Sequence, residues 1–276
     1  MKNILVLIHD DEAQESRLQA SLDLARALEA HLTCVDVTVL PEMHPEIYIA
    51  VGRDILIEEE TKRETAHCAR IKARLDREDV SWNIVQVVGD IESALESNAR
   101  LADLIVVTSD VGTMDYDQFL KVAGDLIVRT RKPVLAVPQH ARRFAPTGRA
   151  LIAWDGSREA AAALSSAVPL LTIADGVTIL EVDSGSADTP AEEAAAYLSR
   201  HGIHPRISRT ASDGGVVETV LGLDGVAETI LRTARDHGSA YIVMGGYGRS
   251  RIREWVFGGV TRTLLATSPV PLLIAH

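Results

Sequence analysis

The sequence predicts an α/β protein made of two tandem doubly wound parallel-sheet domains. Short aliphatic runs alternate with amphipathic helical patterns along all 276 residues, as parallel strands with crossover helices require. Hydrophobic residues make up 46% of the chain and aromatic residues only 4%, so we expect a core of Ala, Val, Leu and Ile. The order of elements repeats in the second half, and the length favours two domains over one.

The two halves match element by element. The run "NILVLIHDD" and the helical pattern after it correspond to "RALIAWDGS" and "REAAAALSSAVPLLT". The second strands "HLTCVDVTV" and "GVTILEVDS" correspond in the same way, as do the last strands "KPVLAVP" and "VPLLIAH". The boundary is predicted near Phe144, because Pro146 and Gly148 interrupt both periodicities there, which gives domains 1–144 and 145–276.

The charge of the chain excludes two classes of partner. A net charge of -11 and a pI near 5.3 repel a phosphate backbone and an anionic bilayer, so we expect neither nucleic-acid nor membrane binding. The N-terminal run becomes acidic after six apolar positions, which fits neither a signal peptide nor a spanning helix. We therefore expect a cytoplasmic location.

A glycine-rich stretch near the end, "GGYGRSRIREWVFGGVTRTLL", is the strongest candidate for a ligand site. It follows a predicted strand, and Gly258 and Gly259 precede a helical pattern whose N-terminus would favour an anion. Arg249 adds positive charge and Thr261 a hydroxyl. A loop that only turns and binds nothing is the alternative. A P-loop is excluded in this half because no lysine follows Lys132, and neither half has G-x-G-x-x-G after its first strand.

The spacing Gly245-x2-Gly248-x9-Gly258, with "PVPLLIAH" after it, resembles the universal stress protein family over the whole chain. The resemblance implies a Rossmann-like, adenine nucleotide alpha-hydrolase-like fold. ATP-binding members carry this glycine pattern, which implies ATP as cofactor, with AMP or ADP as alternatives and Mg²⁺ as an accompanying ion.

The resemblance also implies roles for individual residues of the second domain. The glycines would surround the phosphates and ribose, Asp155 would lie by the nucleoside, and backbone groups near Val182 would read adenine. The complete candidate binding set is Asp155, Val182, Gly245, Gly248, Arg249, Gly258, Gly259, Val260 and Thr261.

One position departs from the family pattern. Gly259 stands where ATP-binding members carry Ser or Thr, so one side-chain bond to phosphate is missing. That loss would weaken binding by about 1.5 to 3 kcal/mol, roughly 10- to 100-fold, unless Thr261 or an arginine replaces it.

The first domain is predicted to be degenerate as a nucleotide site. Gly124 precedes Pro133 by nine positions, whereas Gly258 precedes Pro271 by thirteen, and Gly112 is also out of register. Acidic residues at Asp110, Asp115, Asp117 and Asp125 would repel phosphate. We expect a structural or partner-binding role for this half.

Three functions remain open from the sequence. The first is an ATP-binding stress or signalling protein, the second an interaction module without nucleotide, and the third a slow ATP hydrolase. No catalytic residue is predicted, because no G-x-S-x-G elbow or Ser, His and acid trio is identifiable. The family's single-domain members pair between chains, which implies that the halves pair about a pseudo-twofold axis. A homodimer of such chains and an unidentified protein partner are further expectations.

No metal site is predicted. His9 and Asp10 stand at the end of the first strand without a second ligand cluster, and a solvated loop is the simpler interpretation. His67 and Cys68 are adjacent and so lie on different parts of a helix face. Cys34 alternates with apolar residues and is expected in the core.

Overall fold

The computed structural model describes residues 1–39, 53–109, 126–183, 189–211, 225–246 and 259–276. Strands and helices alternate in the first half as the sequence predicts. They are β1 (Asn3–Ile8), α1 (Gln14–Leu28), β2 (His31–Thr38), α2 (Arg53–Leu75), β3 (Ser81–Val88), α3 (Ile91–Asn98), β4 (Leu104–Thr108) and β5 (Val134–Val137).

The second half repeats this order. Its elements are β6 (Ala150–Trp154), α4 (Arg158–Leu171), β7 (Val177–Asp183), α5 (Ala191–Arg200), β8 (Arg206–Ala211), α6 (Gly225–Asp236), β9 (Tyr241–Gly245), α7 (Gly259–Thr267) and β10 (Leu272–Ala275). Within the described residues, no helix is both long and apolar enough to cross a bilayer.

All ten strands form one sheet in the order β3-β2-β1-β4-β5-β10-β9-β6-β7-β8. Neighbouring strands are parallel within each half, whereas β5 and β10 are antiparallel, with Leu135 opposite Leu273. The predicted doubly wound α/β class is confirmed, and the halves meet through their last strands. Two sheets were predicted, one for each domain. They form a single sheet because β5 and β10 pair with each other.

Helices cover both faces of the sheet. Successive strand residues, which point to opposite faces, are therefore both buried. Ile4 and Val6 of β1 belong to one core cluster, whereas Leu5 and Leu7 belong to the cluster on the opposite face. Burial on both sides explains why the strands read as continuous aliphatic runs and not as alternating patterns.

Polar side chains fix where two of the helices begin. Asp90 accepts a hydrogen bond from Ser93 N at 2.8 Å and caps α3, and Ser157 caps α4 in the same way through Ala160 N. Such caps satisfy a backbone N–H that has no partner inside the helix.

The segment that joins the halves is attached to both. Phe144 N donates to Oδ2 of Asp23 on α1 at 3.0 Å. Its ring packs edge-to-face on Tyr241 of β9, with centroids 5.6 Å apart.

Candidate functional site

Backbone hydrogen bonds establish which residues of the two halves are equivalent. Asp103 N donates to Asn3 O at 2.8 Å, and Ala240 N donates to Arg149 O at 2.7 Å. Counting along the paired strands then makes His9 equivalent to Asp155.

The same register extends across each half. Ser109 N donates to Val137 O, as Gly246 N does to Ala275 O, so Thr108 is equivalent to Gly245. In the next strand over, Asp36 is equivalent to Glu181, because Ile8 pairs with Asp36 and Trp154 with Glu181.

Asp155 is exposed at the carboxyl end of β6, where the strand order of the second half reverses direction. Its Oδ1 accepts from Ser157 N at 3.0 Å and from Ser157 Oγ at 2.6 Å. Ser157 Oγ in turn accepts from Ala160 N at 3.1 Å, at the first turn of α4. The carboxylate is therefore positioned by a turn while remaining open to solvent, at the edge where ligands of open α/β sheets bind.

Gly245 lies on the neighbouring strand, against the first turn of α4. A Cβ atom at this position would lie 2.5 Å from Ala160 N and 2.6 Å from the carbonyl carbon of Glu159. Close packing of α4 on β9 therefore requires glycine here, independently of any ligand.

The remaining predicted residues divide into three groups. The Val182 side chain is buried in the core at the end of β7. Only the backbone groups of Val182 are therefore available to contact a ligand. Gly259 is exposed at the start of α7, with Val260 half-buried and Thr261 buried behind it. Three further positions, Gly248, Arg249 and Gly258, lie outside the described residues. The structure thus brings Asp155, Gly245 and Val182 together at the ends of adjacent strands.

The equivalent corner of the first half is filled by a buried ion pair that the sequence did not reveal. The Arg17 and Asp11 side chains are 0% and 1% exposed, and Arg17 Nη2 donates to Asp11 Oδ2 at 2.9 Å. Arg17 also donates to Leu7 O at 2.7 Å and to Thr108 Oγ1. Burial lowers the pKa of Arg17, and the Asp11 carboxylate opposes that shift.

The filled corner bears on the prediction that the first half is degenerate as a nucleotide site. The guanidinium occupies the space between the ends of β1 and β4, where the second half has Gly245 in place of Thr108. The out-of-register glycines Gly112 and Gly124 lie outside the described residues.

A second buried polar cluster, formed by Asp36, Glu64 and His67, was also missed. One ligand atom from each lies within 4.8 Å of the others. Burial lowers the pKa of His67, against the effect of the Asp10 and Asp36 carboxylates. The sequence signal for the cluster is the three-residue spacing of Glu64 and His67, which places both on one face of α2.

The two cysteines are free. Burial, more than the nearby Cys68 and Asp36, raises the pKa of Cys34 to about 12. Burial also raises the pKa of Cys68, to about 11, with further contributions from Asp36. Cys34 is a core residue of β2, as predicted.

A cavity of about 550 Å³ lies at the opposite edge of the second half. Its lining includes Arg149, Asp175, His204 and Arg206, at the amino ends of β6, β7 and β8. It is therefore separate from the candidate nucleotide residues, which stand at the carboxyl ends.

Solved structures share this architecture. A universal stress protein from Archaeoglobus fulgidus DSM 4304 matches with a TM-score of 0.75 and 16% identity, over 99% of this chain and 97% of its own. A functionally unknown protein from Pseudomonas aeruginosa PAO1 matches with a TM-score of 0.58 and 16% identity, over 100% and 92%. At these identities the likeness shows the fold alone.

No curated protein matches the chain. The family model described as "Universal stress protein family" matches it twice, over residues 1–138 and 147–276. These ranges cover nearly the whole chain and coincide with the two halves of the sheet, so the chain belongs to the universal stress protein family as two tandem copies of its domain.

Proposed function

We propose that this stress-response protein binds an adenine nucleotide, ATP in the first instance, in its C-terminal half. The carrying observation is the difference between two equivalent corners of the sheet. In the first half the buried Arg17–Asp11 pair fills the corner, whereas in the second half β6 ends at an exposed carboxylate, Asp155.

The described residues suit a polar nucleoside. Asp155 can accept hydrogen bonds from ribose hydroxyls through the carboxylate oxygen that the turn leaves unused. Because the Val182 side chain is in the core, recognition of the base at β7 would fall to main-chain groups.

The phosphate end of the proposed site rests on the family pattern. The resemblance assigns it Gly245, Gly248 and Gly258, and the sequence adds Arg249. The start of α7 at Gly259 would supply backbone N–H groups and the positive end of the helix dipole. Val260 and Thr261 follow in the same turn, with Mg²⁺ as an accompanying ion.

The test is titration of the full chain with ATP by calorimetry. We expect one site per chain, because the equivalent corner of the first half is filled. Asp155→Asn should weaken binding about 10-fold or more, since it removes a charged acceptor while an amide oxygen can keep the turn to Ser157. Asp175→Asn, at the opposite edge of the same half, is the matched control and should bind normally.

A second variant separates a phosphate-binding loop from a simple turn. Gly258→Val should remain folded and lose the ATP-induced rise in melting temperature, whereas ligand at 100 times its Kd stabilises wild type by about 2.7 kcal/mol. Two equivalent sites, or unchanged affinity in both Asp155→Asn and Gly258→Val, would contradict the proposal.

Wild type that binds no ATP would favour the interaction-module function. Release of phosphate from bound ATP would favour the slow hydrolase. In the proposed arrangement the N-terminal half is structural or binds a protein partner, and whole chains associate as homodimers in the cytoplasm. Light scattering measures that association.

A further inference from the structure

We infer that the N-terminal half holds a divalent transition-metal ion, of the Zn²⁺ type, between Asp36, Glu64 and His67. Asp36 lies near the carboxyl end of β2, and the other two residues face it from α2. All three are at least 96% buried, with exposed fractions of 1%, 4% and 1%.

The carboxylate of Asp36 has an oxygen aimed into the cluster without a hydrogen bond. Gln86 Nε2 donates to Oδ2 at 3.2 Å. Among the residues that the structure describes, Oδ1 has no partner at hydrogen-bond geometry and lies 3.9 Å from His67 Nδ1, although the Cys68 thiol is a weak donor close to this carboxylate. Burying a carboxylate oxygen without a partner costs free energy, so this position favours a cation.

The ring of His67 is oriented so that a lone pair faces the carboxylates. Its Nε2 lies 2.7 Å from Oε1 of Gln14, and an amide oxygen can only accept, so Nε2 carries the proton. In the neutral ring Nδ1 is then an acceptor, and it lies 3.0 Å from Glu64 Oε1. One ligand atom from each of the three residues lies within 4.8 Å of the others. An orienting bond on the far ring nitrogen is also typical of metal-ligating histidines.

The spacing of these atoms suits a small tetrahedral ion. Two atoms each about 2.0 to 2.1 Å from such an ion are roughly 3.3 Å apart. The two distances from His67 Nδ1, 3.0 Å to Glu64 and 3.9 Å to Asp36, bracket that value. A mixed nitrogen and oxygen set selects Zn²⁺ and its neighbours over Mg²⁺ and Ca²⁺, which prefer oxygen alone.

In the second half, an arginine pairs with the carboxylate that is equivalent to Asp36. Glu181, the equivalent of Asp36, accepts from Arg209 Nε at 2.7 Å. Arg209 stands directly opposite Glu181 on β8, as Gln86 stands opposite Asp36 on β3. The second half therefore supplies a guanidinium where the first half has a neutral amide.

The experiment measures Zn²⁺ uptake by the full chain after removal of metal with a chelator and without nucleotide. We expect one ion per chain with a Kd of about 1 μM or below. Cobalt(II) should bind competitively and show the intense visible absorption of a four-coordinate site, while excess Mg²⁺ should not displace Zn²⁺.

Variants assign the site to these residues. Asp36→Asn, Glu64→Gln and His67→Gln should each weaken Zn²⁺ binding at least 10-fold, and Gln14→Ala, which only orients His67, about 10- to 100-fold. Glu181→Gln changes the equivalent carboxylate of the second half and should bind Zn²⁺ as wild type does. ATP binding should be unchanged in all of these variants, so the outcome is independent of the proposed nucleotide site.

Two results would overturn the inference. One is wild type that takes up no stoichiometric Zn²⁺, which would mean that a proton on His67 holds the cluster together. The other is uptake that persists in the Asp36, Glu64 and His67 variants, which would place the ion elsewhere. A variant whose circular dichroism spectrum differs from that of wild type is misfolded and is left out. The inference is then tested by the Zn²⁺ uptake and the cobalt spectrum of wild type.

Discussion

Replacing Asp11 with Ala should strongly destabilise the protein, because it leaves the Arg17 guanidinium buried without its counter-charge. Arg17 would lose its contacts to the Asp11 oxygens at 2.9 and 3.4 Å, and would keep Leu7 O and Thr108 Oγ1. Breaking a fully buried ion pair costs about 3 to 5 kcal/mol. The lost hydrogen bond from Ala13 N to Asp11 Oδ1, 2.8 Å long, adds about 0.5 to 1.5 kcal/mol.

The assay is urea unfolding of the full chain, with Arg17→Met and the double variant completing a cycle. Because the double variant buries no charge, we expect it to be more stable than Asp11→Ala alone. Glu96→Ala is the control. It breaks an exposed pair with Arg129, whose side chains are 44% and 48% exposed, and should cost about 0 to 1 kcal/mol.

A loss below about 1 kcal/mol in Asp11→Ala would refute the reasoning. It would mean that water reaches Arg17 and that the corner of the first half is open. The contrast with the second half, on which the proposal of a single nucleotide site depends, would then fail.

Two further predictions concern the core. Gly245→Ala should destabilise the chain by about 1 to 3 kcal/mol, because its Cβ would meet the backbone of α4 at 2.5 Å, and a neutral effect on the urea midpoint would contradict that packing. The Cys34 thiol, with its pKa raised to about 12, should not react with a thiol reagent at mildly alkaline pH until the chain unfolds. Since this folded-state pKa exceeds the unfolded value, the thiol's contribution to stability is complete below the unfolded value and is lost as pH rises through about 12. Immediate labelling of folded protein would show that the site is accessible.

Local patterns predicted the described strands and helices well. The run beginning at Asn3 contains β1, and the helical pattern after it contains α1. Aliphatic runs bounded by polar residues are local signals, and burial on both faces preserves them in the sequence.

The polar interior was not predictable in the same way. Arg17 looks like any surface position of an amphipathic helix, and only the ends of β1 and β4 make it a buried cation. Asp36 and His67 are far apart in the chain and meet only because α2 crosses β2. Such contacts depend on tertiary packing, which a single sequence does not display.

The antiparallel pairing of β5 and β10 also affects how the protein can evolve. In a symmetric homodimer every substitution appears in both subunits, so the two sites must remain alike. Here both copies of the domain belong to one chain, and the connection keeps them at a high effective concentration that dilution cannot lower. Thr108 and Gly245 can therefore differ at equivalent positions, as can Gln86 and Arg209. Each half is therefore free to change residues at the ends of its strands without the same change appearing in the other.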